Sequence, residues 1–198
     1  LGLEGNRSSL FWVFVDILNH IKELNPNVLF LQENVGSALK KDVGIMSRAL
    51  GVYPVRINSS LVTAQSRDRY YWSNIRVAKD GLFGDLVTDI PQPKDRKIMF
   101  KDILTRGKTK KEKHSCLNTN SGVGGTQRYL THRNNTTGMI TLIYEGKKVR
   151  TVNKIELCRL QGFSDDWCDI LTKNQAGSLL GDGWTLPIIE HIFSYIEK

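Results

Sequence analysis

Three short runs of this sequence carry side chains whose types and order could do chemistry. Gln32-Glu33-Asn34-Val35 follows the apolar run Val28-Leu29-Phe30-Leu31. That order predicts a carboxylate straight after a strand buried on both faces of a parallel sheet, at the edge where ligands bind in open α/β sheets. A partly desolvated carboxyl there can protonate, or hydrogen-bond to, a ring nitrogen; equally, it can cap the next turn. Gln65-x-Arg67-x-Arg69 alternates three polar side chains on one face of an extended segment. Two guanidiniums so placed call for anions or carboxylates, either those of a ligand or those of ordinary surface ion pairs. Gly181-Asp182-Gly183-Trp184-Thr185-Leu186-Pro187 reads as a tight turn before a helix, with Pro187 in the helix's first turn. Its flat indole and backbone N–H groups could hold a cofactor, although a turn with a packed tryptophan is the commoner use of such a sequence.

A fourth candidate is ionic. The 198 residues hold 28 Lys+Arg against 20 Asp+Glu, a formal charge of +8. Between Lys94 and Lys113, nine Lys/Arg against three Asp/Glu give +6 of it. Such a run is either a solvated loop or a surface for a polyanion. Just beyond lies Asn118 to Tyr129, rich in glycine and small polar residues, then Arg133, Asn134 and Asn135. Loops of this kind approach a phosphate backbone closely, and Arg and Asn read guanine and adenine edges. Lys108, Lys110, Lys111, Asn118, Arg128 and Arg133 are the candidate nucleic-acid contacts.

The elements that must position these residues follow from periodicity. Phe11, Phe14, Val15, Leu18 and Ile21 form one apolar stripe of a helix over Leu10 to Leu24, stopped near Asn25-Pro26. A second helix, Leu39 to Leu50, closes at Gly51, a natural C-terminal cap. Val52 to Ile57 and Tyr70 to Val77 read as further strands, so helix and strand alternate as in an open α/β sheet. From Ala78 to Val149 glycines, prolines and short apolar runs predict an irregular, mainly β insert. Helical character returns over Asn153 to Gln161, Leu171 to Leu180 and Pro187 to Glu197. No apolar run approaches the ~20 residues of a membrane span. Cys116, Cys158 and Cys168 are odd in number and lack CxxC spacing, so they indicate neither a disulfide framework nor a zinc site, and a cytosolic setting is the default.

The order of the motifs adds what none has alone. Gly2-Leu3-Glu4-Gly5-Asn6-Arg7-Ser8, Glu33-Asn34-Val35 after a strand, Gln65-x-Arg67-x-Arg69, a basic variable region, Arg150 to Phe163, and finally Gly181-Asp182-Gly183-Trp184-Thr185-Leu186-Pro187 together resemble the C-terminal half of DNA cytosine-5 methyltransferases. The short recognition region and the Gly-Trp-Thr-Leu-Pro ending look especially like the de novo eukaryotic type and its phage or bacterial relatives. The resemblance implies an α/β fold, part of a Rossmann-like methyltransferase sheet with a small, mainly β target-recognition insert. It divides the chain into 1–78, the C-terminal part of the catalytic domain, 79–149, the recognition region, and 150–198, helices completing the catalytic domain.

The same resemblance implies roles. Glu33 would contact the ring nitrogen and exocyclic amine of a cytosine flipped out of the duplex, since its reacting face is otherwise stacked. Asn34 would hold that loop in shape, Arg69 would reach the cytosine O2, and Arg67 would organise the pocket and nearby phosphates. Asp182, Gly183, Trp184 and Thr185 would line the pocket for S-adenosylmethionine; many family members have Asn where this chain has Asp182. Arg150 to Phe163 would support the recognition region. The family's Phe-x-Gly-x-Gly cofactor loop and its Pro-Cys nucleophile are missing, because no cysteine of this chain follows a proline. The expected partners are therefore double-stranded DNA and a complementary N-terminal half that carries the Pro-Cys motif, on a separate chain or a missing segment. The chain alone should be poorly stable and inactive. The alternative is a non-catalytic DNA-binding or regulatory relative of the same descent.

Overall fold

The computed structural model describes residues 9–82, 84–120, 130 and 141–196. In chain order the elements are α1 (Ser9–Leu24), β1 (Leu31–Val35), α2 (Lys40–Leu50), β2 (Val55–Asn58), β3 (Asp68–Ser73), β4 (Val77–Asp80), β5 (Asp85–Thr88), β6 (Ile143–Glu145), β7 (Lys148–Arg150), α3 (Lys154–Gln161), α4 (Lys173–Asp182) and α5 (Leu186–Phe193). This is a mixed α/β chain with small antiparallel sheets: β1-β3-β2, the hairpin β4-β5 and the hairpin β6-β7. Two compact units are present, one formed by Leu1–Ile57, Asp68–Gln92 and Ile192–Lys198, the other by Asn58–Arg67 and Pro93–His191.

In the first unit α1 buries Phe11, Val15 and Leu18, the i, i+4, i+7 face of the expected helix. They join Phe30, Met46, Leu50, Val52 and Trp72 in one apolar cluster. Ile21, expected in that stripe, stands instead with Leu10, Val13, Ile17 and Leu24 on a second, exposed apolar stripe of the same helix. α2 ends where the sequence indicates, with Gly51 at φ 74°, a left-handed cap.

The first strand differs from expectation. Val28 to Phe30 lie outside the ladder because side chains take their backbone groups: Asn74 Oδ1 accepts from Phe30 N, Asn74 Nδ2 donates to Val28 O, and Ser73 Oγ donates to Phe30 O. The ladder begins at Leu31, so Glu33 sits inside β1 rather than after it. The partner of β1 is β3, antiparallel, with Glu33 opposite Tyr71 and Val35 opposite Arg69. The parallel pairing expected for this segment does not occur among the described residues, and the other edge of β1 carries no strand there.

In the second unit Phe100, Ile103, Leu117 and Ile143 pack with Val152, Leu157, Leu160, Ala176 and Leu180. The helices after residue 150 therefore share a core with the segment expected to be a separate recognition region. Cys158 and Cys168 belong to that same core, and burial first of all pushes the Cys158 thiol up to about 12. A thiol so protonated is no nucleophile.

Candidate functional site

Alternation along β1 sorts the first motif onto two faces. Asn34, with Tyr70 opposite it, points toward α2: its Nδ2 donates to Met46 Sδ at 3.3 Å while its Oδ1 accepts from Val35 N at 2.7 Å. That side chain ties strand to helix and holds the backbone after Glu33 in shape. Glu33 lies on the other face with Tyr71 and, diagonally, Arg69. Arg69 Nε stands 2.5 Å from Glu33 Oε1, both side chains largely covered at 13% and 16% exposure. Arg69 Nη1 also donates to Asp68 O at 2.9 Å. A carboxylate and a guanidinium, the two complementary halves of a hydrogen-bonding set, are thus brought together from residues 36 positions apart.

The strand's exit is fixed by a close approach. Gly36 N donates to Asp68 O at 2.9 Å, and a Cβ on Gly36 would fall 2.5 Å from Asp68 Oδ2 and 2.6 Å from its Cγ. Only glycine allows it. Asp68 is itself clamped by Arg56, whose Nε reaches both carboxylate oxygens at 3.0 Å.

The structure separates the two arginines of the second motif. Arg67, 4% exposed, meets no carboxylate among the described residues: its Nη1 donates to Leu117 O at 3.0 Å and Gly181 O at 3.2 Å, and Nη2 donates to Gly183 O at 2.9 Å. Cys116 Sγ completes the shell at 3.4 Å. A guanidinium among carbonyls at the C-terminal end of α4 is stabilised by that end's negative pole. Its donors are turned inward, so it holds the second unit's backbone in place of the phosphates expected for it. α4 can come this close because Gly181 lacks a side chain: a Cβ there would stand 2.2 Å from the Asn118 carbonyl.

The third motif is divided too. Asp182 is the last residue of α4 and exposed; Gly183 caps the helix through N–H···O to Leu179 at 2.9 Å. Trp184 is 43% exposed, whereas Thr185 is 1% exposed. The Thr185 hydroxyl donates to Gln161 Oε1 at 2.8 Å and accepts from Ser59 Oγ at 3.0 Å. An exposed indole and an exposed carboxylate two residues before it suit a cofactor with a flat ring and hydroxyl or ammonium groups. Thr185 holds the turn from below.

Among the basic residues, Lys108, Lys110 and Lys111 are exposed. Lys108 bridges Tyr144 through backbone bonds of 3.0 and 2.8 Å, and Lys110 Nζ lies 5.2 Å from the centre of the Tyr144 ring. Lys111 Nζ reaches Ser115 Oγ at 3.4 Å. Asn118 is exposed, its Oδ1 accepting from Asn120 N at 3.0 Å. Arg128 and Arg133 lie outside the described residues. Lys113, counted in the basic run, is spent internally on Ser60 O, Thr63 O and Ile98 O at 2.6, 3.0 and 2.6 Å; desolvation lowers its pKa.

Two sets of residues had only weak sequence signals. Glu156 is fully buried and accepts from Arg150 at 2.7 and 2.9 Å, from Thr105 N and Oγ1 at 2.9 Å each, and from Asn153 N at 2.9 Å. Burial alone would raise this carboxyl, but those hydrogen bonds outweigh it and hold the group below the ordinary glutamate range. The Asn153-x-x-Glu156 capping box was its visible trace. Gln65 and Gln161 likewise meet in the core, Gln65 Nε2 donating to Gln161 Oε1 at 2.8 Å.

No protein-family model matches the sequence. Among solved structures, the fold is similar to that of the methyltransferase EhMeth of Entamoeba histolytica, with a TM-score of 0.53 at 14% identity over 92% of this chain and 69% of that one. It is also similar to the S. pombe Dnmt2 methyltransferase, with a TM-score of 0.58 at 16% identity over 97% of this chain and 73% of that one. The chain therefore has the α/β fold of methyltransferases. No helix among the described residues is long and apolar enough to cross a membrane.

Proposed function

We propose that this chain is part of a DNA cytosine-5 methyltransferase, supplying the pocket for the flipped base while the nucleophilic cysteine and the glycine-rich cofactor loop come from a complementary N-terminal half. The observation that carries the reading is the Glu33–Arg69 pair, placed on one sheet face at 2.5 Å. Cytosine presents a ring nitrogen, an amine and a carbonyl oxygen along one edge. Glu33 can bond the nitrogen and amine, and Arg69, on release from Glu33, can donate to the oxygen. A proton delivered from the Glu33 side to the ring nitrogen makes the ring more electrophilic at C6, where a thiolate must attack before C5 can take a methyl group. S-adenosylmethionine would supply that methyl group, and Trp184 and Asp182, both exposed, would hold it, with Gly183 and Thr185 shaping the turn.

Two features support the complementary half as partner: the edge of β1 that carries no strand among the described residues, and the exposed stripe Leu10, Val13, Ile17, Ile21 and Leu24 of α1. An open strand edge takes a further strand, and an uncovered apolar helix face takes a further helix. Double-stranded DNA is the proposed substrate, met in part through Lys108, Lys110 and Lys111.

The test is methyl transfer to duplex DNA by the chain joined with a half bearing the Pro-Cys motif. Activity in the pair, lost in Glu33→Gln with DNA affinity retained, is expected. An inactive pair that still binds DNA with the salt dependence of phosphate contacts would instead favour the non-catalytic relative.

A further inference from the structure

Gln161 is 0% exposed, and every hydrogen-bonding site of its amide is used. The Nε2 group donates to Leu180 O and, at 3.3 Å, to Gly183 O. The Oε1 atom accepts from Gln65 Nε2 and from Thr185 Oγ1, each at 2.8 Å. The donors of its neighbours are used in turn. Gln65 Nε2 also donates to Leu160 O at 2.8 Å, its Oε1 accepts from Leu117 N at 3.2 Å, and Ser59 Oγ donates to Thr185 Oγ1 at 3.0 Å. The donors run in one direction, from Ser59 through Thr185 to Gln161, and from Gln161 onward to the carbonyls of Leu180 and Gly183. A network saturated in a single sense has one arrangement, because reversing any member sets donor against donor or acceptor against acceptor.

That arrangement grips two points of one surface turn. The Gly183 carbonyl is held by Gln161 and by Arg67, and the Thr185 side chain by Gln161 and Ser59. Trp184 lies between the two and is the one member of the trio whose side chain is exposed.

We infer that Gln161 and Thr185 are positioning residues for the cofactor turn: from inside the second unit they fix the backbone on either side of Trp184, and so the direction in which its indole is presented to an adenosyl group. The inference rests on the proposed reading of this turn as part of the S-adenosylmethionine site. Neither side chain would touch the cofactor. Thr185, expected from the sequence to line the pocket, acts through Trp184.

The prediction is specific to the direction of the hydrogen bonds. In Gln161→Glu the ionised side chain has only acceptors and faces two carbonyls, so the turn must shift; protonation at lower pH restores one donor. Thr185→Val keeps the shape and removes the hydroxyl, and Thr185→Ser returns it. The full chain is labelled with 5-fluorotryptophan, the Trp184 resonance is assigned by its loss in Trp184→Phe, and S-adenosylmethionine is titrated with and without the complementary half. Thr185→Val should move the Trp184 resonance, leave that of Trp167 in the same unit in place, and weaken cofactor affinity about tenfold, the scale of one lost buried hydrogen bond. Thr185→Ser should restore both signals, and Gln161→Glu should recover affinity as pH is lowered. An unmoved Trp184 resonance and unchanged affinity in Thr185→Val would overturn the inference while leaving the cofactor reading intact. A wild-type chain that binds no S-adenosylmethionine in either setting would overturn both.

Discussion

Glu33 and Glu156 are both covered glutamates paired with arginine, one in each unit, yet their surroundings differ in kind. Glu156 accepts five hydrogen bonds from Arg150, Thr105 and Asn153, so both its oxygens are filled. Among the described residues the Glu33 carboxylate meets Arg69 alone, on the face of a three-stranded sheet. A saturated carboxylate can only be lost, whereas one with capacity left can exchange its partner for a ligand. What distinguishes the structural glutamate from the candidate functional one is therefore the number of donors around it. Burial and the presence of an ion pair do not separate them.

That contrast can be broken first at Glu156. Glu156→Ala leaves the Thr105 and Asn153 N–H groups without their acceptor and Arg150 with Glu145 and the carbonyls of Arg106 and Thr151 only, and should cost the second unit about 3 kcal/mol, the lower end of the scale for a buried pair broken from one side. Denaturant unfolding would measure it, and a loss no larger than that of a surface substitution would refute the structural role of Glu156. Glu33→Ala should cost far less.

Acid titration sharpens the same point. Burial lowers His114 to about 4, with its Nδ1 2.5 Å from Ser115 O. The unfolded chain takes up that proton first, so stability is complete above the ordinary histidine range and falls as pH drops toward 4, by about 3 kcal/mol at 1.36 kcal/mol per pH unit. Glu156, held below the ordinary range, adds a loss that begins only at lower pH, as the unfolded carboxylate protonates. His114→Phe, which keeps a ring beside Phe100, should remove the first phase of the pH–stability curve and leave the second.

For Glu33 the expected signature is kinetic. Glu33→Gln keeps size and polarity but removes the acid, and should lower methyl transfer by the joined halves about a hundredfold, the lower range for a positioned proton donor, with DNA affinity nearly unchanged. Equal losses in both would put Glu33 beside Glu156 as a structural residue. The smallest effects belong to Lys108, Lys110 and Lys111. Each change to Gln should weaken DNA binding evenly across sequences and reduce the salt slope by about one, while Lys113→Gln, whose ammonium serves three carbonyls, should lower stability and leave that slope alone.

Periodicity and caps made the helices legible: α1, α2 and the Asn153 start of α3 stand within a residue or two of their sequence signals. The strand beside them was less so. Val28 to Phe30 have the apolar character of a buried strand, but Asn74 and Ser73 take their backbone groups, and a contact 44 residues away leaves no local trace. Within the Gln65-x-Arg67-x-Arg69 motif the alternation is plain in the chain, while the opposite fates of its arginines are not.

By itself, then, the sequence determined which segments would be helices, that Glu33 and the guanidiniums of Arg67 and Arg69 were available for chemistry, and that the charge concentrates between Lys94 and Lys113, because these follow from residue type and spacing along one chain. The tertiary structure decided which polar groups are already satisfied. It turned Arg67, Lys113, Gln161 and Thr185 inward to bind carbonyls and one another, set Glu33 against Arg69 on one sheet face, and left Trp184, Lys108, Lys110 and Lys111 exposed. Capacity for a ligand is what remains after long-range hydrogen bonds are counted, and no local pattern records that remainder.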